Sequence, residues 1–143
     1  VFLKVAPDLT PADIDDIVEV TMAERLSGLI VSNTTVSRPS LRSAYASETG
    51  GLSGAPLRDL AQQRLADFYK ASGGSIPLIG VGGIANAEQA YARICAGASL
   101  VQLYSALVYE GPLLAAQINK GLVSLLKRDG FANIGQAVGS RRE

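Results

Sequence analysis

The stretch "PLIGVGGIANAEQA" (77–90) puts Gly80, Gly82 and Gly83 where an apolar run gives way to a helix. Glycine lets a backbone approach an anion, and free N–H groups supply the donors. Gly80, Gly82 and Ala85 match the G-x-G-x-x-A spacing of a dinucleotide-binding turn. That turn needs an acidic residue about 20 positions on, at the end of the next strand. The next apolar run ends in "QLYSA", with neither Asp nor Glu, so the dinucleotide reading is demoted. The phosphate site of a β/α barrel, built from the loops after two successive strands, suits "GVGG" and "LYSAL" better. A plain tight turn stays open on pattern alone.

Three further stretches carry groups that bind ligands. Lys4 lies inside the apolar run "VFLKV", where a buried ammonium is costly unless an anion pairs with it. It either meets an anionic or electron-rich cofactor or is exposed. "SNTTVSRP" (32–39) sets Ser32, Asn33, Thr34 and Thr35 at the C-terminal end of a strand, the active-site end in a barrel. Asn offers donors and an acceptor, which suits a planar heterocycle or a carboxylate, although Asn and Thr are also ordinary loop residues. In "ETGGLSG" (48–54), Ser53 and Gly54 precede a helix, so their N–H groups either meet an anion or belong to a turn.

Other groups read as structural. Cys95 shares helical spacing with Ala87, Ala90, Tyr91 and Ile94 and is expected in the core. Asp13, Asp15 and Asp16 cluster at a helix start, where carboxylates complement the dipole, and are not expected to bind metal. Arg141 and Arg142 read as a solvated tail.

Composition narrows the chemistry. The 143 residues contain no His, which excludes His-based acid–base catalysis and His-ligated metals within them. One Cys excludes an internal disulfide and a Cys-based zinc site, and fits a reducing compartment. A net charge of zero, with no basic block before "SRRE", lacks the footprint of a nucleic-acid binder. With 48% hydrophobic and 18% charged residues the chain can build a core. No apolar run is long enough to span a membrane, and there is no signal-peptide plan. Val1 opens directly onto an apolar strand, which suggests a fragment.

The elements that must position these groups alternate. A strand at 1–5 precedes a helix opened by Thr10 and Asp13 as a capping box, with Pro11 at its first position and Ile14, Ile17, Val18 and Met22 as its apolar stripe. A strand at 28–32 leads into an excursion over 33–56, long enough to suggest function. A helix (57–71) with Leu57, Leu60, Ala61, Leu65 and Phe68 on one face, and a strand (76–81), follow. Asn86 caps a helix over 87–96 that Gly97 ends, then come a strand at 99–103 and a helix from near Pro112 to about Arg128. Near-continuously apolar strands suit a parallel sheet, and four βα units are half of a (β/α)8 TIM barrel. A small doubly wound sheet is the competing α/β architecture.

Taken in order, "KVAPDLT", "GLIVSNTTVSRP", "SETGGLSGAPLRDL", "IPLIGVGGI", "AGASLVQLYSALVYEGP" and "LLKRDGF" resemble the C-terminal half of the class 2, quinone-dependent dihydroorotate dehydrogenases. The resemblance implies that residues 1–143 are one truncated domain, half of an FMN-binding barrel. It implies oxidation of dihydroorotate to orotate with quinone as acceptor, in pyrimidine biosynthesis. Lys4 and Ser32 would then contact the flavin, and Ser53, Gly54, Gly82 and Gly83 would contact FMN. Tyr104 and Ser105 would complete the phosphate site, with backbone N–H groups at the start of a short helix, Tyr104 also lying near the quinone entrance. Asn33 and Thr34 would bind dihydroorotate or orotate. The catalytic base, a Ser in this family, and the membrane-associating helices would lie upstream, on a parent peripheral to the bacterial or mitochondrial inner membrane. Ser105 and Ser32 stand where the family has mostly Thr, and "GSRRE" ends the chain where it reads close to "GADHR". Two alternatives remain: a different FMN- or phosphate-binding barrel, and a non-catalytic half-barrel whose open sheet edges pair with another chain.

Overall fold

Four short parallel strands pair strictly in chain order. The computed structural model describes residues 1–39, 41 and 43–141; Arg142 of the expected tail lies outside them. β1 (Phe2–Val5), β2 (Gly28–Val31), β3 (Leu78–Val81) and β4 (Ala98–Gln102) form one sheet in the order β1-β2-β3-β4. Helices α1 (Pro11–Ala23), α2 (Arg58–Ala71) and α3 (Ala87–Cys95) make the crossovers, and α4 (Ser105–Glu110), α5 (Leu114–Arg128) and α6 (Ile134–Ala137) follow β4. A doubly wound sheet reverses its strand order midway. This sheet does not, so successive right-handed crossovers place the helices on one face, as in a barrel wall.

That face is the core. Val5, Leu29, Val31, Leu78 and Ala98 pack against Ile14 and Val18 of α1 and Leu65 and Phe68 of α2. A second cluster joins α3 to α5 through Tyr91, Ile94, Cys95, Leu114, Ile118 and Leu122. Cys95 is therefore a core residue, as its spacing predicts. On the opposite face, Lys4, Ile30 and Ile79 stand in register, with Leu100 opposite Ile79. Ile79 at its centre is buried, but Leu100 is 61% exposed and Phe2 48%, so the flanks of this face are bare.

Local signals explain most boundaries. The Thr10 hydroxyl accepts from Asp13 N (3.2 Å) while the Asp13 carboxylate accepts from Thr10 N (2.8 Å), closing the expected capping box. The stripe of α1 differs from expectation: Thr21 is buried and Met22 exposed, because the face through Ile14 and Val18 reaches position 21 one turn later. The strand expected from Ile76 begins at Leu78, since Pro77 has no N–H to give to a ladder. Its carbonyl still accepts from Leu29 N (3.0 Å). A 3-10 turn at Ala55–Leu57, containing Pro56, leads into α2. Asn86 caps α3, accepting from Gln89 N (2.9 Å). The helix expected from near Pro112 to about Arg128 is α5, and Gly111, with a φ of +82°, ends the short α4 just before it. The four-residue α6, capped by Asn133, has too little periodicity to read in advance.

Candidate functional site

The C-terminal ends of all four strands open into one cavity of about 470 Å³. β1 brings Lys4 to it. The segment after β2 brings Ser32, Asn33 and Thr34, and later Ser53 and Gly54. The turn after β3 brings Gly82 and Gly83, and the end of β4 brings Gln102, Tyr104 and Ser105. All ten residues that the resemblance gives to cofactor or substrate line this space, whereas Gly80 and Thr35, also singled out from the sequence, do not. Lys4 is exposed there, so its two sequence readings are compatible: it lies on the bare face of β1 and faces the cavity.

The long segment after β2 is held by named contacts. Asn33 N donates to Val5 O (2.7 Å) and Ser32 N to Val81 O (3.1 Å), so β2 hands its chain across the tops of its neighbours. The Asp8 carboxylate accepts from the Thr35 hydroxyl, from Val36 N (3.1 Å) and from the Ser37 hydroxyl (2.9 Å). Burial pushes the Asp8 carboxyl up, but these hydrogen bonds outweigh it and hold the group below its ordinary value. Thr35 thus serves the anchor and not the cavity. Thr35 and Leu52 exchange backbone hydrogen bonds of 3.1 and 2.8 Å, and Arg38 donates to Glu48 O (2.8 Å) and Gly50 O (2.6 Å). The far end of the excursion therefore returns to the site.

Within the site, Asn33 Oδ1 accepts from Thr34 N (2.9 Å), which leaves the amide nitrogen of Asn33 to donate outward. Ser32 is buried, and its hydroxyl donates to Asn33 O (3.1 Å). Gly51 lies against Thr34, where a Cβ would come to 2.6 Å from Thr34 Cβ. The Ser53 and Ser105 hydroxyls meet at 3.2 Å, joining the loops after β2 and β4.

The turn after β3 is gripped from outside. Gly82 and Gly83 have φ of +116° and +69°, and a Cβ on Gly83 would come to 2.8 Å from Arg58 Cα. Arg58 Nε donates to Gly83 O (3.0 Å). Arg93 Nη2 donates to Gly82 O (2.8 Å) and to Arg58 O (3.3 Å). Burial, and then the charge of Arg58, lower the Arg93 guanidinium to about 10, so it stays protonated at neutral pH.

Sequence reading missed Arg58, Arg93, Gln102, Tyr109 and Glu110. Arg93 carried a signal, as the one basic residue on the apolar side of helix 87–96; the others are ordinary surface types until the chain folds. Tyr104, just before α4, and Val108 and Tyr109 within it are all more than three-quarters exposed. The cavity's ionisable lining groups are Lys4, Arg58, Tyr104, Tyr109 and Glu110, a set better suited to holding an anion than to taking a proton from carbon.

The family model for dihydroorotate dehydrogenase matches residues 1–126. The quinone-dependent dihydroorotate dehydrogenases of Novosphingobium aromaticivorans and Sphingopyxis alaskensis are 61% and 64% identical over 140 residues, 98% of this chain. The chain spans about 40% of the length of these curated relatives. A crystal structure of Eimeria tenella DHODH in complex with ferulenol superposes with a TM-score of 0.94 at 43% identity, covering 97% of this chain and 37% of that one. Barrel-wall topology, a site at the strand ends and identity of this level agree: the chain belongs to the dihydroorotate dehydrogenase family.

Proposed function

We propose that this chain forms one half of a single FMN-binding barrel domain in a quinone-linked dihydroorotate dehydrogenase, and carries part of its cofactor and substrate site. The observation that carries this is the convergence of ten residues from four strand ends on one cavity. The residues fit FMN. At Gly83 a Cβ would collide with Arg58, so only glycine lets the turn sit against α2 while its backbone lines the cavity. Ser53 and Ser105 add hydroxyls beside it. Gly82, Gly83, Tyr104 and Ser105 hold the phosphate end, Ser53 and Gly54 support it, and Lys4 and Ser32 meet the ring.

FMN bound there supplies two-electron chemistry between dihydroorotate and a quinone. The chain's own residues bind and orient. Lys4 sets a positive charge at the ring. Asn33, its oxygen committed to Thr34 N, donates its amide N–H groups to a substrate carbonyl or carboxylate. Thr34, backed by Gly51, adds a hydroxyl. The proton-abstracting base comes from the other half of the barrel, which covers the bare sheet face. Association with the bacterial or mitochondrial inner membrane is a property of that other part.

The test is the protein containing the complete barrel. It purifies yellow, releases FMN on denaturation, and turns over dihydroorotate with quinone in preference to fumarate or NAD. A colourless protein, or turnover with fumarate or NAD alone, overturns the proposal.

A second reading rests on the exposed Phe2 and Leu100: by itself the chain is a non-catalytic half-barrel that associates through its open sheet. Light scattering on the isolated chain is expected to show oligomers, and a stable monomer counts against it.

A further inference from the structure

The largest fully buried side chain is a cation. Arg93 of α3 is 1% exposed. No carboxylate forms an ion pair with it among the described residues, and its Nε and Nη1 have no hydrogen-bond partner there. An apolar side chain would fill the same volume without burying a charge. The fold instead makes room for it: a Cβ at Gly80 would lie 2.9 Å from Arg93 Cδ and nearer still to Cγ. Its committed nitrogen, Nη2, goes to the carbonyls of Gly82 and Arg58. Arg58 itself goes to the carbonyl of Gly83.

The two guanidiniums therefore hold the two carbonyls of the Gly82–Gly83 turn. In a planar trans peptide the next N–H points opposite to the carbonyl. Fixing Gly82 O and Gly83 O toward the arginines turns the N–H groups of Gly83 and Ile84 away from them. Both residues line the cavity. Arg58 and Arg93 also place two like charges close together behind one turn, a repulsion that Asp59 offsets in part and an anion in front of the turn offsets further.

We propose that Arg93, seconded by Arg58, is a positioning residue for a phosphate: from behind the Gly82–Gly83 turn it fixes the N–H groups and supplies the buried positive charge that select a phosphorylated ligand over its unphosphorylated counterpart. This deepens the FMN reading and rests on it.

The test uses apoprotein of the complete barrel, with dissociation constants for FMN and riboflavin measured by flavin fluorescence. The wild type is expected to prefer FMN. Arg93→Met, nearly the same volume without the charge or donors, is expected to weaken FMN by about 10- to 100-fold while riboflavin shifts by less than about threefold. Arg93→Lys recovers part of the loss, and Arg58→Met moves the ratio the same way by a smaller factor. A merely structural Arg93 lowers both affinities together; that result, or an unchanged ratio, overturns the inference. Should Arg93→Met fail to fold by circular dichroism, the Arg93→Lys and Arg58→Met ratios decide in the same manner. A wild type with no preference for FMN overturns the phosphate reading of the turn itself, a separate outcome.

Discussion

The Thr35 hydroxyl donates to the carboxylate of Asp8, 27 residues earlier, and so ties the segment after β2 to the loop after β1. One acidic side chain thereby organises the entry to a long excursion whose two ends both reach the cavity. Asp8→Ala is expected to free this segment: proteolytic nicking between residues 33 and 56 rises, and thermal stability falls by about 1 kcal/mol, since the group is exposed and screened. The folded-state pKa of Asp8 is depressed, so its contribution is fully present above the ordinary carboxylate value and is lost as pH falls through the lower folded value. Melting curves between neutral pH and pH 3 should show the wild type losing an increment that Asp8→Ala lacks throughout.

Gly51 backs Thr34. Its φ is not in the left-handed region, so a methyl group there is refused on steric grounds alone, by Thr34. Gly51→Ala is expected to push Thr34 out of place and weaken orotate binding by at least about tenfold. FMN affinity, measured on the same protein, should change by less than about threefold. Equal losses of both ligands would show that the loop, and not Thr34, had been disturbed.

Lys4 is expected to tune the flavin more than to hold it. Its stem lies on the bare face of β1, and no salt bridge engages it among the described residues. In the proposed placement of the flavin, Lys4→Met removes a positive charge beside the ring, so negative charge building up there is less stabilised. The flavin midpoint potential should fall by about 30 mV, the equivalent of about 1.4 kcal/mol for two electrons. A spectroscopic titration against a reference dye measures this, and an unchanged potential would remove Lys4 from the ring.

Ser105 meets Ser53 across the mouth of the site. Ser105→Ala should weaken FMN by about fivefold, the worth of one neutral hydrogen bond, whereas Ser105→Thr, which keeps the hydroxyl, should bind within about twofold of wild type. Equilibrium dialysis against FMN checks both.

The ends of β2, β3 and β4 were readable because each combines an apolar run with Gly, Ser or Asn at or just beyond its close. Ser32, Asn33 and Gly82 could therefore be placed together as soon as the chain read as successive βα units. The capping pair Thr10–Asp13 and the Asn86 cap were local signals and stand where expected. Arg58 and Asp8 were not legible, since an Arg at a helix start and an Asp in a loop acquire their partners only through contacts with Gly83 and Thr35 far along the chain. α4 stands where the phosphate-site reading of Tyr104 and Ser105 puts a short helix, and the positive φ of Gly111 ends it just before α5 begins.

The consecutive strand order also bears on how the chain assembles. Phe2 pairs with Gly28, Leu29 with Leu78 and Leu78 with Ala98, so each strand docks on the one made just before it. No strand waits for a later segment to be inserted between two others. The helix-side core of Val5, Leu29, Val31, Leu78 and Phe68 grows by addition, one βα unit at a time, and each addition closes only the loop within that unit. The sheet can thus form as a cooperative unit while its bare face still awaits a cover.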